Sequence, residues 1–158
     1  RFQGIESPHK MKLATAGCPR NCSEAYVKDI GVVAIGEDKW EIYIGGAAGG
    51  TVRKGDVLYT ATGHEETVRV IGRFMQYYRE HAKYMERTYG FVERIGIDVL
   101  KKILVEDSLG ICAQLDARIQ DAVDAYRDPW KEAEIPAYEH QFEGPRLIEA
   151  LKQANNNG

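Results

Sequence analysis

The chain has 158 residues, of which 44% are hydrophobic and 28% charged, and its net charge at pH 7 is −3. This length allows one good hydrophobic core, or one domain with an appended subdomain. The mildly acidic composition argues against nucleic acid as a partner, and no apolar run approaches the roughly 18–20 residues that cross a bilayer, which argues against a membrane.

The N-terminal part of the chain has the pattern of short strands and turns. Strands are predicted over residues 11–16, 31–35, 40–44 and 56–62, and the turn at 36–39 predicts a β-hairpin between the second and third of them. One or two helical turns are expected over 23–29, and a Gly-rich segment follows at 45–50.

The pattern changes to helical spacing at Gly63. Apolar residues recur every three or four positions over 65–89, which predicts one continuous amphipathic helix. Its inward face would consist of Val68, Ile71, Met75, Tyr78, Ala82 and Met85. Thr62 is the candidate N-cap, with Glu65 as its capping-box partner.

Three more helices are predicted towards the C-terminus. They cover 98–105, the stretch from 107 or 108 to Pro129, and 147–154. The second would turn these residues inward: Leu109, Cys112, Leu115, Ile119, Val123 and Tyr126. The chain is therefore predicted to be α+β, with a β-rich part at 1–63 and a helical part at 64–158.

Two of the three cysteines stand four residues apart in the segment TAGCPRNC, as Cys18 and Cys22. Thiolates bind soft metals and iron–sulfur clusters, and the bend at Pro19 would let two sulfurs reach one cluster. Spacing alone favours two ordinary half-buried residues or a chance pair at helical spacing, because a C-x₃-C pair has little specificity without a second pair and a four-iron cluster normally needs four cysteines. Cys112 has an inward helical position and is predicted to be a packing residue.

The cysteines predict the cellular location, and the N-terminus predicts whether the chain is a fragment. Three cysteines do not make a fully paired disulfide framework, so we expect reduced thiols and a cytoplasmic location. The N-terminus has no signal-peptide pattern, and the missing initiator Met suggests a fragment of a longer protein.

The residues around the cysteine pair favour a cluster site. The run from Lys12 to Ala25, KLATAGCPRNCSEA, closely resembles the second cysteine pair of the siroheme-containing nitrite and sulfite reductases, where a strand leads into Gly-Cys-Pro-x-x-Cys. By this resemblance Cys18 is a ligand of a [4Fe-4S] cluster, and Cys22 is the thiolate shared by the cluster and the siroheme iron. Arg20 and Asn21, between them, are expected to contact the cofactors.

The resemblance covers most of the chain, from about residue 8 to 132. The segments DIGVVAIG and WEIYIGGA look like the strand–turn–strand that follows the cysteines in the family. The helical stretches at 78–88, 91–97 and 127–130 are similar to the C-terminal part of the large subunit of NAD(P)H-dependent assimilatory nitrite reductases. The resemblance thus implies the β-rich half of a siroheme/iron–sulfur domain (1–63) and a helical C-terminal subdomain (64–158).

For the intact protein, this branch implies an oxidoreductase that reduces nitrite to ammonium with six electrons. The electrons would pass from NAD(P)H through FAD and the [4Fe-4S] cluster to siroheme. A small reductase subunit or a second copy is an expected partner. The first cysteine pair and the basic residues that hold the substrate would lie upstream of Arg1, so the fragment is expected to contain no catalytic residue, to be inactive and to lack the cofactors.

Two alternatives stay open. One is a fragment of a sulfite reductase hemoprotein, which uses the same cofactors. Sulfite reductases usually have Asn-Gly where this chain has Arg20-Asn21, and this difference favours nitrite. The other is a non-catalytic α+β interaction module whose cysteines are unused.

The Gly-rich segment is a second candidate contact with siroheme. By resemblance, Gly45 and Gly46 lie near the tetrapyrrole, with Arg53 and Lys54 as counter-charges for its carboxylates. For the pair Gly49-Gly50, contact with siroheme and a plain flexible hairpin loop are equally consistent with the sequence. His64 and His81 have no second ligand at useful spacing and are predicted to be surface residues.

Overall fold

A computed structural model describes residues 1–132, and the predicted helix at 147–154 lies outside them. The strands are β1 (Leu13–Ala16), β2 (Ile30–Gly36), β3 (Lys39–Ile44), β4 (Ala47–Ala48), β5 (Val52–Arg53) and β6 (Asp56–Thr62). The helices are α1 (Gly63–His81), α2 (Thr88–Ile95), α3 (Ile97–Leu104), α4 (Cys112–Asp124) and α5 (Pro129–Glu132), with a 3₁₀ turn at Ala25–Val27. The predicted α+β class is confirmed.

Four strands form one mixed sheet in the order β1-β2-β3-β6. β1 runs parallel to β2, whereas β2–β3 and β3–β6 are antiparallel. The predicted hairpin is confirmed, with Gly36 paired to Lys39 across a two-residue turn in which Asp38 has a φ of 52°. Because β1 and β2 are parallel, the segment between them must return from the end of β1 to the start of β2, and this segment carries both cysteines.

The two faces of the sheet are covered by different parts of the chain. On one face, Ile30, Val32, Ile42 and Ile44 pack in a core with apolar residues of the helices, including Phe74, Tyr78, Phe91, Leu100, Leu104 and Leu115. On the other face, Val33 and Tyr43 pack against Ala16 and Ala25. The alternation follows from the two-residue period of a strand. The returning segment with the cysteines is thus anchored on the face opposite to the helices.

The prediction of one continuous helix over 65–89 is wrong. α1 ends at His81, Ala82 has an extended backbone, and the chain becomes helical again at Thr88. Met85 has a φ of 62° and is 56% exposed, so it does not belong to the buried face. A side-chain hydrogen bond holds the segment between the helices in place: the Tyr78 hydroxyl donates to the carbonyl of Glu86. Ile71, Met75 and Tyr78 are buried as predicted, and Val68 and Ala82 are half-buried.

The predicted bounds of α3 are correct, whereas the predicted capping contact of α1 is not. α3 agrees with the prediction to within one residue. The capping box with Glu65 is wrong, because the carboxylate of Glu66 accepts the hydrogen bond from the Thr62 N–H, at 2.6 Å.

The start predicted for α4 is also too early. Gly110 has a φ of 65°, Asp107 accepts a bond from the Cys112 N–H at 3.0 Å, and the helix begins at Cys112. Leu109 is therefore 60% exposed. Cys112, Leu115 and Ile119 are buried as predicted, whereas Val123 and Tyr126 are half-buried and the helix ends at Asp124, before Pro129.

The chain divides into two compact units, Arg1–Ala125 and Tyr126–Gly158. The second is described as far as Glu132, and there Arg127 faces Glu132 at 3.8 Å. The predicted boundary between residues 63 and 64 stays a prediction. Among the described helices, none combines the length and apolarity that a membrane span requires.

Candidate functional site

Cys18 and Cys22 lie on one turn directly after β1. Both are free thiols and both are exposed, so they are not the half-buried residues of the alternative interpretation. The Asn21 N–H donates to the carbonyl of Cys18 at 3.1 Å, and the Glu24 N–H donates to the carbonyl of Asn21 at 2.8 Å. These successive bonds fold the backbone so that both sulfurs belong to one compact turn.

Side-chain hydrogen bonds tie this turn to the rest of the fold. The Ser23 hydroxyl donates to the carbonyl of Thr15 in β1 at 2.9 Å. The Asn21 side-chain oxygen accepts from the Tyr26 N–H at 3.3 Å. The cysteine turn is therefore fixed to the strand before it and to the 3₁₀ turn after it.

Asn21 has a left-handed backbone conformation, with a φ of 55°. Glycine and asparagine are the residues that enter this region most readily. The glycine that the resemblance expects here in sulfite reductases would thus fit the same loop shape. The Arg20-Asn21 pair gives no backbone reason to prefer nitrite over sulfite.

A glycine in β2 lets the returning segment lie close to the sheet. A Cβ on Gly31 would lie 2.0 Å from the carbonyl oxygen of Ala25, so any larger residue would displace the 3₁₀ turn. Ala25 itself is fully buried. The contact between β2 and Ala25 therefore holds the segment that follows the cysteine turn against the sheet.

The far end of the segment is held by Asp29, which sequence reasoning missed. Its carboxylate is 1% exposed. It accepts bonds from the Lys12 N–H at 2.9 Å, from the Thr88 hydroxyl, and from Arg87 at 3.3 Å on each oxygen. A carboxylate immediately before an apolar strand was the available signal, but its partners at the start of α2 are almost 60 positions away, at separations of 58 and 59.

Arg20 supplies positive charge beside the thiols. The residue is exposed, and it takes part in none of the ion pairs found within residues 1–132. Its guanidinium is therefore available to an anionic group bound at the cysteine turn.

The other predicted contacts with siroheme form a separate cluster. Arg53 Nη1 donates to the carbonyl of Gly45 at 2.8 Å, and the guanidinium also pairs with Asp56 at 2.6 Å and Glu93 at 3.1 Å. Gly46 is buried, and a Cβ there would lie 2.4 Å from the carbonyl oxygen of Lys28. Both glycines and the arginine thus have packing or pairing roles within the fold.

This cluster lies at the other end of β1 from the cysteines. Leu13 pairs with Ile30, which pairs with Ile44, so Gly45 follows at the start of β1. The cysteine turn follows the end of β1 at Ala16. Four residues of extended chain span about 13 Å. The structure therefore brings Cys18, Arg20, Asn21 and Cys22 together, and it brings Gly45, Gly46 and Arg53 together, at opposite ends of one short strand.

Cys112, His64 and His81 lie where they were predicted to lie, and Lys54 contacts an aromatic ring. Cys112 is 2% exposed, its thiol donates to the carbonyl of Ile103 at 3.3 Å, and burial raises its pKa to about 11. His64 and His81 are exposed. Lys54, the second predicted counter-charge, has its ammonium 4.6 Å from the ring centre of Tyr26.

The donor set at the cysteine turn fits half of a cluster site. Within residues 1–132 no group of three or more His, Cys, Asp or Glu side chains could hold a metal ion. Two thiols on one turn match one of the two cysteine pairs that hold a four-iron cluster in the family that the sequence resembles. The residues present therefore fit the predicted cluster, provided that two further ligands come from elsewhere.

Comparison with known families agrees with this interpretation. The family model of the nitrite and sulphite reductase 4Fe-4S domain matches residues 1–112, which include β1 to α3 and both cysteines of the turn. The chain belongs to this family. The match ends at the first residue of α4, so the later helices lie beyond the reductase domain as the family defines it.

The nitrite reductases that this chain resembles are much longer than the chain itself. It is 39% identical over 132 residues to a nitrite reductase [NAD(P)H] of Bacillus subtilis, an alignment that covers 84% of the chain and 16% of that protein. It is 39% identical over 128 residues to the nitrite reductase (NADH) large subunit of Escherichia coli, covering 78% and 15%. An assimilatory-type sulfite reductase of Nitratidesulfovibrio vulgaris is 34% identical over 104 residues, covering 66% and 47%. The chain thus spans less than a fifth of these nitrite reductases.

Proposed function

We propose that this domain supplies Cys18 and Cys22 to a [4Fe-4S] cluster of a nitrite reductase, and that Cys22 also binds the iron of siroheme. The observation that carries the proposal is a pair of exposed, free thiols on one anchored turn, within residues that match a 4Fe-4S domain family. When bound, the two groups would supply the one-electron chemistry by which six electrons from NAD(P)H reduce nitrite to ammonium.

The protein's own residues would hold and orient the cofactors. Cys18 would anchor the cluster. Cys22 would couple the cluster to siroheme, because a sulfur shared by the two cofactors leaves no gap between them for the electron to cross. The bonds made by Asn21 and Ser23 would keep the two sulfurs in place before the cofactors bind. Arg20 would offset negative charge at the cluster or at a carboxylate of siroheme.

Gly45, Gly46 and Arg53 stay predicted contacts of siroheme. Arg53 has less support than the other two for such a contact. Its charge is already offset by Asp56 and Glu93, and its cluster lies near the start of β1, at the end away from the thiols. In contrast, Arg20 is beside the thiols. Arg20 is therefore the stronger candidate for a counter-charge.

The test uses the full-length reductase with three single substitutions. Cys18→Ser should lower the iron content, and Cys22→Ser should abolish nitrite reduction driven by methyl viologen. Cys112→Ala is the matched control, because this thiol is buried on α4, and it should keep both iron and activity. Normal nitrite reduction by the Cys22→Ser enzyme would refute the shared-ligand role.

A second candidate function is sulfite reduction. The observation that favours it is the similarity to the assimilatory-type sulfite reductase, together with the loop shape at Asn21, which fits either class. Turnover of the purified full-length enzyme with each anion distinguishes the two. Faster turnover with sulfite than with nitrite would replace the first proposal by the second.

The 158-residue chain by itself should fold without cluster or siroheme. Its core of sheet and helical residues contains no metal ligand among the described residues, so cofactors are not needed to bury it. We expect a colourless, inactive protein with Cys18 and Cys22 as free thiols or an oxidised pair. Stoichiometric iron with absorption in the Soret region would show that half of a site is sufficient.

The wider setting of the reductase is also proposed. FAD and a small subunit or second copy would belong to the complete enzyme. A cytoplasmic location would keep Cys18 and Cys22 reduced, as a thiolate ligand must be.

A further inference from the structure

A cleft opens at the start of β1, away from the cysteine turn. Its volume is about 440 Å³. Four cationic side chains line it, from Lys10, Lys12, Lys28 and Arg87, against the one carboxylate of Asp29. This local excess of positive charge stands in a chain whose net charge is −3.

Within residues 1–132, two of these four positive charges have no carboxylate partner, and a third has only an exposed one. The carboxylate of Asp29 is already occupied by Lys12 N–H, Thr88 and Arg87. Lys28 pairs with an exposed glutamate at 3.0 Å, and exposed pairs contribute little free energy. The ammonium groups of Lys10 and Lys12 take part in none of the ion pairs found in the described part of the chain.

Two buried nitrogen atoms of the cleft residues also lack hydrogen-bond partners. Among residues 1–132, Arg87 Nε and His9 Nδ1 are buried side-chain atoms without a hydrogen-bond partner. Buried polar atoms are normally paired, and an unpaired one invites an explanation such as a missing ligand. An arginine fork with a free Nε is suited to an anion with several oxygens.

The opposite wall of the cleft exposes backbone. It is formed by the small residues of β4 and the turn that follows it, 47–51. A Cβ on Gly49 or Gly50 would meet no atom within 4 Å, so packing does not require glycine at either position. Small side chains let a ligand approach the backbone closely. This differs from Gly46, which the neighbouring backbone excludes from any larger residue.

We propose that this cleft binds a small molecule with at least two negative charges on phosphate or carboxylate groups. The cleft volume is that of a small-molecule site, and its concave shape does not suit an extended macromolecule. The cleft shares Gly46 with the predicted siroheme contacts. The site nevertheless goes beyond the proposed function, because it does not use the cysteine turn and lies about the length of β1 away from it.

The test is isothermal titration calorimetry on the 158-residue chain, with pyrophosphate and citrate as separate probes. The Lys10→Gln/Lys12→Gln double variant should bind the preferred probe about tenfold more weakly, since each lysine contributes a partly exposed charge pair. The matched control is Lys101→Gln/Lys102→Gln on α3, which removes the same charge elsewhere. The affinity of this control should stay within about twofold of that of the parent chain. Raising the salt to about 0.15 M should weaken binding by the parent chain and by the control.

The preferred probe identifies the ligand class as phosphate or carboxylate. No binding of either probe at low salt would overturn the proposal, and so would an equal loss in the two double variants, which would indicate a general charge effect. Unchanged melting temperatures of both variants show that folding is not the cause of any loss. None of these measurements depends on iron or on nitrite reduction, so failure here is distinct from failure of the proposed function.

Discussion

Asp29 joins three segments of the fold through one buried carboxylate, and its replacement by asparagine tests how the cysteine segment is anchored. The carboxylate accepts bonds from the start of β1 at Lys12 and from Arg87 and Thr88 at the start of α2. Asparagine has the same shape but one acceptor oxygen and no charge. Its amide N–H₂ would face the Lys12 N–H, or the Thr88 hydroxyl if the amide were flipped.

The expected cost follows from these contacts. A lost hydrogen bond to a charged acceptor costs about 1.5–3 kcal/mol, and breaking a buried ion pair costs about 3–5 kcal/mol. Arg87 is 28% exposed, so water compensates part of the second contribution. We therefore expect Asp29→Asn to lower the free energy of unfolding by about 3 kcal/mol. For a chain of this length, that corresponds to a fall in Tm of about 6–12 °C.

Urea unfolding of the 158-residue chain, followed by far-ultraviolet circular dichroism, measures this loss. Glu24→Gln is the matched control, because it removes a carboxylate that is 70% exposed and pairs with Lys28. The control should change the unfolding free energy by less than about 0.5 kcal/mol. If Asp29→Asn were as mild as the control, the buried carboxylate would not anchor the segment.

Three further predictions test the core, the buried thiol and the close backbone approach. Met75 is 2% exposed and Met85 56% exposed, so Met75→Asp should lower the Tm strongly while Met85→Asp hardly changes it, and equal shifts would contradict the observed end of α1. Because burial raises the pKa of Cys112 from 9.0 to about 11, the folded state binds more protons than the unfolded state in that window. Stability should therefore fall as the pH rises from about 9 to 11, and a fall of equal size in Cys112→Ala would assign it to other groups. Gly46→Ala brings a Cβ within 2.4 Å of a backbone oxygen and should cost about 1–3 kcal/mol. Gly49→Ala has free space and is its control in the same unfolding measurement.

The sheet could be predicted from sequence because its signals are local. The apolar runs of the four main strands and the Gly36–Lys39 turn lie close together along the chain. The break between α1 and α2 could not be predicted, since Met85 continues the helical period and no Gly or Pro stands between Gly72 and Gly90. The Met85 N–H instead donates to the carbonyl of Pro8 at 3.1 Å. A contact between positions so far apart overrides the local pattern.

The cysteine site could be predicted in part, and for a related reason. The Gly-Cys-Pro-x-x-Cys pattern is contiguous, so the resemblance could name Cys18 and Cys22 as proposed ligands. The anchor at Asp29 depends on α2, and the basic cleft combines residues from the N-terminal segment with Lys28 and Arg87. Neither assembly has a pattern along the chain. Both depend on how the end of the crossover, at Lys28 and Asp29, meets the start of α2.

The placement of the thiols separates metal binding from folding. Cys18 and Cys22 are exposed and lie on a turn whose shape is set by Asn21, Ser23 and the buried Ala25. Replacing either thiol by serine removes no core contact, so the fold should keep its stability. Loss of iron or activity in such a variant of the full reductase can then be attributed to ligation. Such an arrangement would suit the proposed half-site, because a preformed turn holds its thiols ready for ligation.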